Sequence, residues 1–132
     1  MQAKGTFDTK ATPDTTSFDT DAPTGGPTLG RMIIDKTFAG DFVGRGRVWM
    51  TTAMTSTQGS AGYVALERMT GSLHGKSGSF IMQHSGTMNR GAQTLSVTVV
   101  PDSGAGELTT IAGTLLIEIV DGQHYYTFDY AL

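Results

Sequence analysis

The stretch at residues 113–130, GTLLIEIVDGQHYYTFDY, decides the fold class. Two runs rich in β-branched, aliphatic and aromatic residues flank the dipeptide Asp121-Gly122. This dipeptide is a strong hairpin signal, because a type I′ turn needs a positive φ at both of its central positions. If the turn closes directly around it, Ile117 lies opposite Tyr126 and one face of the hairpin is apolar and aromatic. The stretch therefore predicts an antiparallel hairpin with a buried face and a solvent face.

Two further turns extend the same pattern toward the N-terminus. His74-Gly75 has the composition of a second two-residue turn, and Ala39-Gly40-Asp41 fits a three-residue loop with glycine near the left-handed position. The expected opposite pairs are Met69–Phe80, Glu67–Met82 and Ala65–His84 in the former hairpin, and Phe38–Phe42, Lys36–Gly44, Ile34–Gly46, Met32–Val48, Asp35–Arg45 and Arg31–Trp49 in the latter.

Strand-like runs recur along the chain, and helix-like runs are absent. The predicted strands are 3–11, 31–38, 42–54, 62–73, 76–87, 94–100, 108–120 and 123–130. Eight meandering strands leave two exposed edges unless the sheet closes, so we expect one domain over 1–132, an all-β eight-stranded antiparallel up-and-down barrel. A β-sandwich is the alternative. The segment 12–30, rich in Thr, Asp, Pro and Gly, is expected to be a long mobile loop or a lid.

Composition excludes several function classes. The chain has no cysteine, which removes thiolate nucleophiles and thiolate metal sites. The formal net charge is −3 and the Lys and Arg residues are scattered along the sequence, so nucleic acid is not an expected partner. No apolar run has the length of a membrane span or the form of a signal peptide, and we expect a cytoplasmic protein.

Ionisable residues on the predicted inner face are the candidates for function, because buried charges are costly unless they are paired. Glu67 and His84 are the candidate catalytic residues, as an acid/base pair or as anchors for one polar group of a ligand. The alternative is that Glu67 forms a structural ion pair with Lys36 or an arginine while the histidines lie in water at the rim. The predicted ligand-binding residues are Lys36, Met50, Tyr63, Glu67, Met82, His84, His124 and Tyr126.

We predict neither a metal site nor a cofactor. Glu67 and the two histidines lie on three different strands without close metal-ligand spacing. The Gly-rich stretch 103–106 lacks the following lysine and helix of a phosphate-binding loop. Glycines 44, 46 and 113 on the inner face either give room to large neighbours or line a cavity.

Five stretches resemble a bacterial family known as domain of unknown function 3224. They are DKTFAGD (35–41), YVALER (63–68), GSFIMQH (78–84), VVPDSGAGEL (99–108) and DGQHYYTFDY (121–130). The resemblance covers nearly the whole chain except 12–30. That family is similar in fold to the allene oxide cyclase and dirigent barrels, and residues 103–108 with Gly113 look like the Gly-x-Gly-x-(Phe or Leu) hairpin of those barrels. The resemblance implies a small eight-stranded barrel and no assigned activity.

Three functions follow as hypotheses. The first is a barrel that binds a small apolar or aromatic ligand in its lumen. The second is a cyclase or isomerase that confines an apolar substrate in the same pocket. The third is a structural or protein-interaction barrel with a filled lumen. Outward aliphatic residues also lead us to expect a homo-oligomer, and these are Ile33, Leu66, Ile81, Val100, Leu116 and Val120.

Overall fold

A computed structural model describes residues 1–16 and 18–132 and contains nine β-strands. The strands are β1 (Gln2–Asp14), β2 (Thr28–Gly40), β3 (Phe42–Met54), β4 (Ala61–Leu73), β5 (Lys76–Asn89), β6 (Ala92–Val99), β7 (Ala105–Gly106), β8 (Ala112–Val120) and β9 (Gln123–Ala131). Within the described part of the chain, no helix has the length and hydropathy needed to cross a membrane.

The sheet closes into an antiparallel barrel of eight strands with β7 as a short addition. The strand order is β4-β3-β2-β1-β9-β8-β6-β5-β7, and β4 also pairs with β5 to complete the ring. Closure removes the free edges of the long strands, which is the reason the sequence predicted a barrel. The predicted all-β barrel is confirmed, and the β-sandwich alternative is wrong.

Alternation along each strand decides which side chains enter the lumen. In β5, Phe80, Met82 and His84 are buried while Gln83 and Ser85 are exposed. Successive side chains on a strand point to opposite faces, so this period of two separates lumen from solvent.

The two glycine-containing two-residue turns have the predicted register. Ile117 pairs with Tyr126 around Asp121-Gly122, and Glu67 pairs with Met82 around His74-Gly75. Both residues of each turn have positive φ, between 47° and 83°, as type I′ geometry requires.

The predicted register of the β2–β3 hairpin is wrong by two residues. Phe38 pairs with Gly44 rather than Phe42, and Lys36 pairs with Gly46 rather than Gly44. For the other four residues of β2 whose partners were predicted, the observed pairs are Ile34–Val48, Met32–Met50, Asp35–Arg47 and Arg31–Thr51. A shift of two keeps every side chain on its predicted face, because the side-chain period is also two.

Contacts from neighbouring strands account for this shift. The Asp41 amide donates to the Lys4 carbonyl at 3.0 Å, and the His74 amide donates to the Asp41 carbonyl at 3.0 Å. The turn is therefore held by β1 and by the β4–β5 connection, and its local sequence alone does not set where the strands begin to pair.

The predicted strand 108–120 begins later than expected, at Ala112. Leu108 and Ile111 are buried, but they lie in consecutive tight turns and not in a strand. In the second of these turns the Ile111 amide donates to the Leu108 carbonyl, three residues earlier, at 3.1 Å. Before these turns, β7 pairs with β5 at Gly78 and Ser79. Leu108 and Ile111 join the core and cover the end of the barrel at which they lie.

The lumen has a packed half and an open half. The packed half lies toward the end that carries Asp41, the His74-Gly75 turn and residues 100–111, and the open half lies toward the Asp121-Gly122 turn and residues 18–27. The packed core contains Ala3, Phe7, Phe38, Phe42, Met69, Leu73, Phe80, Met82, Val97, Val99, Leu108, Ile111, Leu115, Tyr126, Phe128 and Tyr130. Many of its aromatic rings meet in stacked, tilted or edge-to-face pairs with centroids 5.1 to 6.2 Å apart.

The predicted loop at 12–30 is shorter than expected, because β1 extends to Asp14 and β2 begins at Thr28. Ser17 falls within this predicted loop and lies outside the described residues. The segment returns toward the start of β2, where Asp19 accepts a hydrogen bond from the Leu29 amide at 2.7 Å and the Arg31 guanidinium lies 4.1 Å from the Phe18 ring centre.

Candidate functional site

A buried charged cluster lies in the lumen between the packed half and the open half. Lys36 Nζ lies 3.1 Å from Glu67 Oε1, and His84 Nε2 lies 2.7 Å from the same oxygen. The three side chains are only 8%, 3% and 4% exposed, in that order. The structure therefore contains both the predicted Glu67–His84 pair and the predicted Lys36–Glu67 ion pair. The expectation that His84 lies in water at the rim is wrong, because its side chain is buried.

Gly46 makes room for the Glu67 carboxylate. A Cβ at position 46 would lie 2.1 Å from Glu67 Oε2 and 3.1 Å from the Phe38 ring. Among the described residues, Glu67 Oε2 has no hydrogen-bond partner although it is buried. Both donors converge on Oε1, so the carboxylate is held on one oxygen and its other oxygen lies against the backbone of β3.

Glu67 is held as a carboxylate by its neighbours. Burial raises the pKa of Glu67, but the hydrogen bond from His84 and the charge of Lys36 outweigh burial, and the pKa falls below its ordinary value of 4.5. Because a carboxylate accepts and cannot donate, His84 Nε2 carries a proton in this contact.

A cavity of about 320 Å³ lies in the open half of the barrel. Its wall is mostly apolar, and Lys36 and His84 lie in its lining while Glu67 lies behind them. The complete lining is Phe7, Thr9, Ala11, Ile34, Lys36, Val48, Met50, Tyr63, His84, Gln93, Leu95, Ile117, Ile119 and His124. Of the described residues in the predicted lid, none between 15 and 27 belongs to this lining, so closure by that segment stays a prediction.

A second cavity of about 310 Å³ adjoins the first one. The two share Tyr63, Gln93 and Leu95 in their linings. The Tyr63 ring packs on Gly86, where a Cβ would lie 2.5 Å from a ring carbon. Burial, followed by the nearby Glu67 charge, raises the pKa of Tyr63, so its phenol is a neutral donor at physiological pH.

The predicted ligand-binding residues divide into three groups by position. Lys36, Met50, Tyr63, His84 and His124 line the cavity, in agreement with their predicted place on the inner face. Glu67 lies behind the lining in contact with two of these residues. Met82 and Tyr126 lie in the packed core instead. Ligand binding by any of them stays a prediction.

Tyr126 has a structural role at the packed end. Its hydroxyl accepts a hydrogen bond from the Phe42 amide at 2.9 Å and lies 3.1 Å from the Ala39 carbonyl oxygen. The three inward glycines also have structural surroundings, because close neighbours fill the space at each of them and none lines the cavity.

A polar cluster at the packed end was not predicted from the sequence. His74 Nδ1 contacts the Tyr130 hydroxyl, His74 Nε2 lies 3.6 Å from Asp41 Oδ2, and the Lys4 amide donates to Asp41 Oδ2 at 2.8 Å. The His74 and Asp41 side chains are about two-fifths exposed. The sequence showed His74 only as a turn residue, and its two partners are distant along the chain. The cluster joins β1, the β4–β5 turn and β9.

Over the described residues, no group of three or more His, Cys, Asp or Glu side chains is arranged to hold a metal ion. The polar groups in or directly behind the cavity wall include the Lys36 amine, the His84 imidazole backed by the Glu67 carboxylate, and the neutral Tyr63 phenol. The rest of the wall is mostly apolar.

Comparisons with known proteins identify relatives of this chain. The profile of the family described as "Protein of unknown function (DUF3224)" matches residues 3–130. The crystal structure of a protein of unknown function from the same family, from Shewanella oneidensis MR-1, is similar at 45% sequence identity with a TM-score of 0.91. The similarity covers 100% of this chain and 97% of that chain. The curated proteins contain no match. The similarity to allene oxide cyclase and dirigent barrels stays a prediction.

Proposed function

The chain belongs to the DUF3224 family of unknown function, and we propose that it binds a small apolar or aromatic ligand in the open half of its barrel. The observation that carries this proposal is the position of the Lys36–Glu67–His84 cluster. The cluster lies at the inner end of an apolar cavity of about 320 Å³, within the range typical of small-molecule sites.

The arrangement of the cluster gives the ligand an orientation. Lys36 and His84 are presented to the cavity, whereas the charge of Glu67 is placed behind them and neutralises the amine. A polar group of the ligand would meet the Lys36 amine and the His84 imidazole at the inner end, with the Tyr63 phenol on the side wall. The apolar body of the ligand would contact apolar lining residues such as Ile34 and Ile117. A few fixed polar groups in a mostly apolar wall set the orientation of a ligand and provide specificity.

The packed half supports the proposal physically. Its interlocked aromatic side chains hold the strands that carry Lys36, Glu67 and His84, so the cavity belongs to a preformed scaffold. Binding to a preformed site avoids the entropy cost of ordering the lining.

Fluorescence titration with 8-anilinonaphthalene-1-sulfonate tests the proposal, because this aromatic probe fluoresces when it leaves water. We expect saturable binding to the unmodified protein. Ile117→Trp places an indole in the cavity and should weaken binding at least about tenfold, which corresponds to roughly 1.4 kcal/mol. Leu116→Trp is the matched control, because Leu116 is the outward neighbour on the same strand and is 57% exposed.

Equal binding by both variants would locate the probe outside the cavity and contradict the proposal. Absence of saturable binding to the unmodified protein would do the same. Thermal melts of the two variants identify any loss of folding. Native mass spectrometry of the freshly purified protein then measures the mass of a retained natural ligand.

The cyclase or isomerase alternative also has a specific observation in its favour. The 2.7 Å contact between His84 Nε2 and Glu67 Oε1 is the geometry by which a carboxylate orients an imidazole for proton transfer. His84 would be the group that touches the substrate, and Glu67 would position it. Turnover of an apolar substrate that is lost in His84→Gln but retained in His74→Gln, which changes a histidine at the packed end outside the cavity lining, would support this alternative.

The homo-oligomer and the cytoplasmic location stay predictions. Of the outward aliphatic residues on which the oligomer rests, Leu66, Leu116 and Val120 are at least half exposed. Light scattering coupled to gel filtration measures the mass of the assembly directly. A monomeric mass at high protein concentration would contradict the prediction.

A further inference from the structure

Three arginines meet on the outer wall of the barrel, away from the lumen. Arg45 and Arg47 point outward from β3, and Arg68 on β4 lies directly opposite Arg47. Together with Trp49 they line a surface hollow of about 820 Å³, and we call these four residues the arginine patch. Positive charge is scattered along the sequence, but the strand pairing gathers it here.

The charges of the arginine patch are only partly compensated. Arg47 makes two contacts with Asp35, at 2.8 Å and 3.4 Å. This is a surface ion pair, because both side chains are about half exposed. Within the described part of the chain, neither Arg45 nor Arg68 has a carboxylate within salt-bridge distance. The patch with Asp35 carries a net charge of about +2, whereas the whole chain carries −3.

The placement of Arg47 opposite Arg68 is unfavourable for the isolated protein. Like charges on directly opposed residues of an antiparallel pair destabilise the sheet. The Arg68 guanidinium lies 5.8 Å from the Trp49 ring centre, which offsets part of this cost. An anionic group between the two guanidinium groups would remove the repulsion and gain charge-assisted hydrogen bonds.

We propose that the arginine patch docks an acidic segment of another protein. Charge complementarity favours carboxylates against Arg45 and Arg68, and the exposed Trp49 and its outward neighbour Leu66 offer an apolar contact beside them. Tryptophan and arginine are among the residue types enriched in the hot spots of protein interfaces. A second copy docked on the same patch would bring like charges together. A net charge of about +2 neutralises few phosphates, and nucleic acid affinity rises with the number of phosphates neutralised.

Fluorescence anisotropy with a labelled octapeptide of six glutamates around two leucines tests this proposal. The comparison probes are the same peptide with glutamines and an oligothymidylate of eight nucleotides. We expect the acidic peptide to bind at 20 mM NaCl, to bind more weakly at 300 mM NaCl because salt screens exposed charges, and to bind more tightly than either comparison probe.

The variant Arg45→Gln/Arg68→Gln should weaken binding of the acidic peptide by at least about threefold, since exposed ion pairs are individually weak. Lys76→Gln/Arg90→Gln removes the same charge from exposed positions elsewhere and should leave the affinity unchanged. The Arg45→Gln/Arg68→Gln variant should melt at or above the temperature of the unmodified protein, because repulsion with Arg47 is removed.

Equal loss of binding in the two double variants would mean attraction to net charge alone and would overturn the proposal. Tighter binding of the oligothymidylate through the same arginines would also overturn it, in favour of nucleic acid. Failure of the acidic peptide to bind the unmodified protein at 20 mM NaCl would overturn it directly.

Discussion

Glu67→Gln is the substitution whose effect follows most directly from the lumen geometry. Glutamine is nearly isosteric, so its side-chain oxygen can still accept from Lys36 and His84. Its amide group would then lie where Glu67 Oε2 has no hydrogen-bond partner and faces Gly46. The substitution therefore removes the negative charge beside Lys36 and adds a buried donor without an acceptor.

The expected loss of stability is large for a single isosteric change. Removing one partner of a buried ion pair costs about 3–5 kcal/mol, because the other charge is left without compensation. Lys36 lines a cavity that water can enter, so we expect a value near the lower limit, about 3 kcal/mol. For a domain of this size that lowers Tm by roughly 10 °C.

Urea unfolding at pH 7 measures this loss, and a double-mutant cycle with Lys36→Met assigns it to the pair. Lys36→Met/Glu67→Gln carries neither charge, so it should lose less free energy of unfolding than the sum of the two single variants. A loss below about 1 kcal/mol in Glu67→Gln, or strict additivity in the cycle, would refute the assignment of a stabilising buried ion pair.

The pH dependence of stability gives the same cluster an independent signature. The pKa of Glu67 is lower in the folded protein than its ordinary value of 4.5. Its stabilising contribution is therefore fully present above that value and is lost as pH falls through the lower folded pKa. The difference in stability between the unmodified protein and Glu67→Gln should shrink between pH 7 and pH 3, and a constant difference would contradict the ionised state of Glu67.

Two further predictions concern packing in the lumen, one beside the charged cluster and one at the packed end. Gly46→Ala should destabilise the protein by about 1–3 kcal/mol, because the new Cβ would displace the Glu67 carboxylate. Gly62→Ala is its control and should be neutral or stabilising by up to about 1 kcal/mol, since the nearest atom to a Cβ there is 3.7 Å away. Tyr126→Phe should cost about 1–3 kcal/mol by leaving the buried Phe42 amide without its acceptor. Urea unfolding checks all three, and a reversed order of the two glycine variants would contradict the Gly46 packing.

Local turn chemistry explains how much of the fold was predictable. Asp121-Gly122 and His74-Gly75 occupy the left-handed region at both positions, so the turn residues themselves set the strand register. The turn at Asp41 is different, because its backbone bonds to Lys4 and His74. Those partners come from β1 and from the β4–β5 turn, and a sequence pattern of period two cannot distinguish registers that differ by two residues.

The sequence pattern predicted which face of its strand each site residue occupies, but it did not predict how far along the barrel axis that residue lies. Alternation assigned Glu67 and His84 to the lumen correctly, because it reports which face a side chain occupies. It does not report height along the barrel axis, which depends on strand tilt and stagger. For this reason Met82 and Tyr126, which share the inner face, were placed with the cavity although they belong to the packed core.

The position of the Lys36–Glu67–His84 cluster is itself an argument for a function of the open half. Well-packed apolar residues of similar volume often stabilise a protein as much as a buried ion pair or more. The aromatic packed half shows that this chain can fill a lumen with apolar side chains, and it does so up to the level of the cluster. From that level outward the lumen holds a cavity with Lys36 and His84 presented to it. A chain selected for stability alone has no need of charges at this boundary, whereas a chain that must orient a polar group of a ligand requires them there.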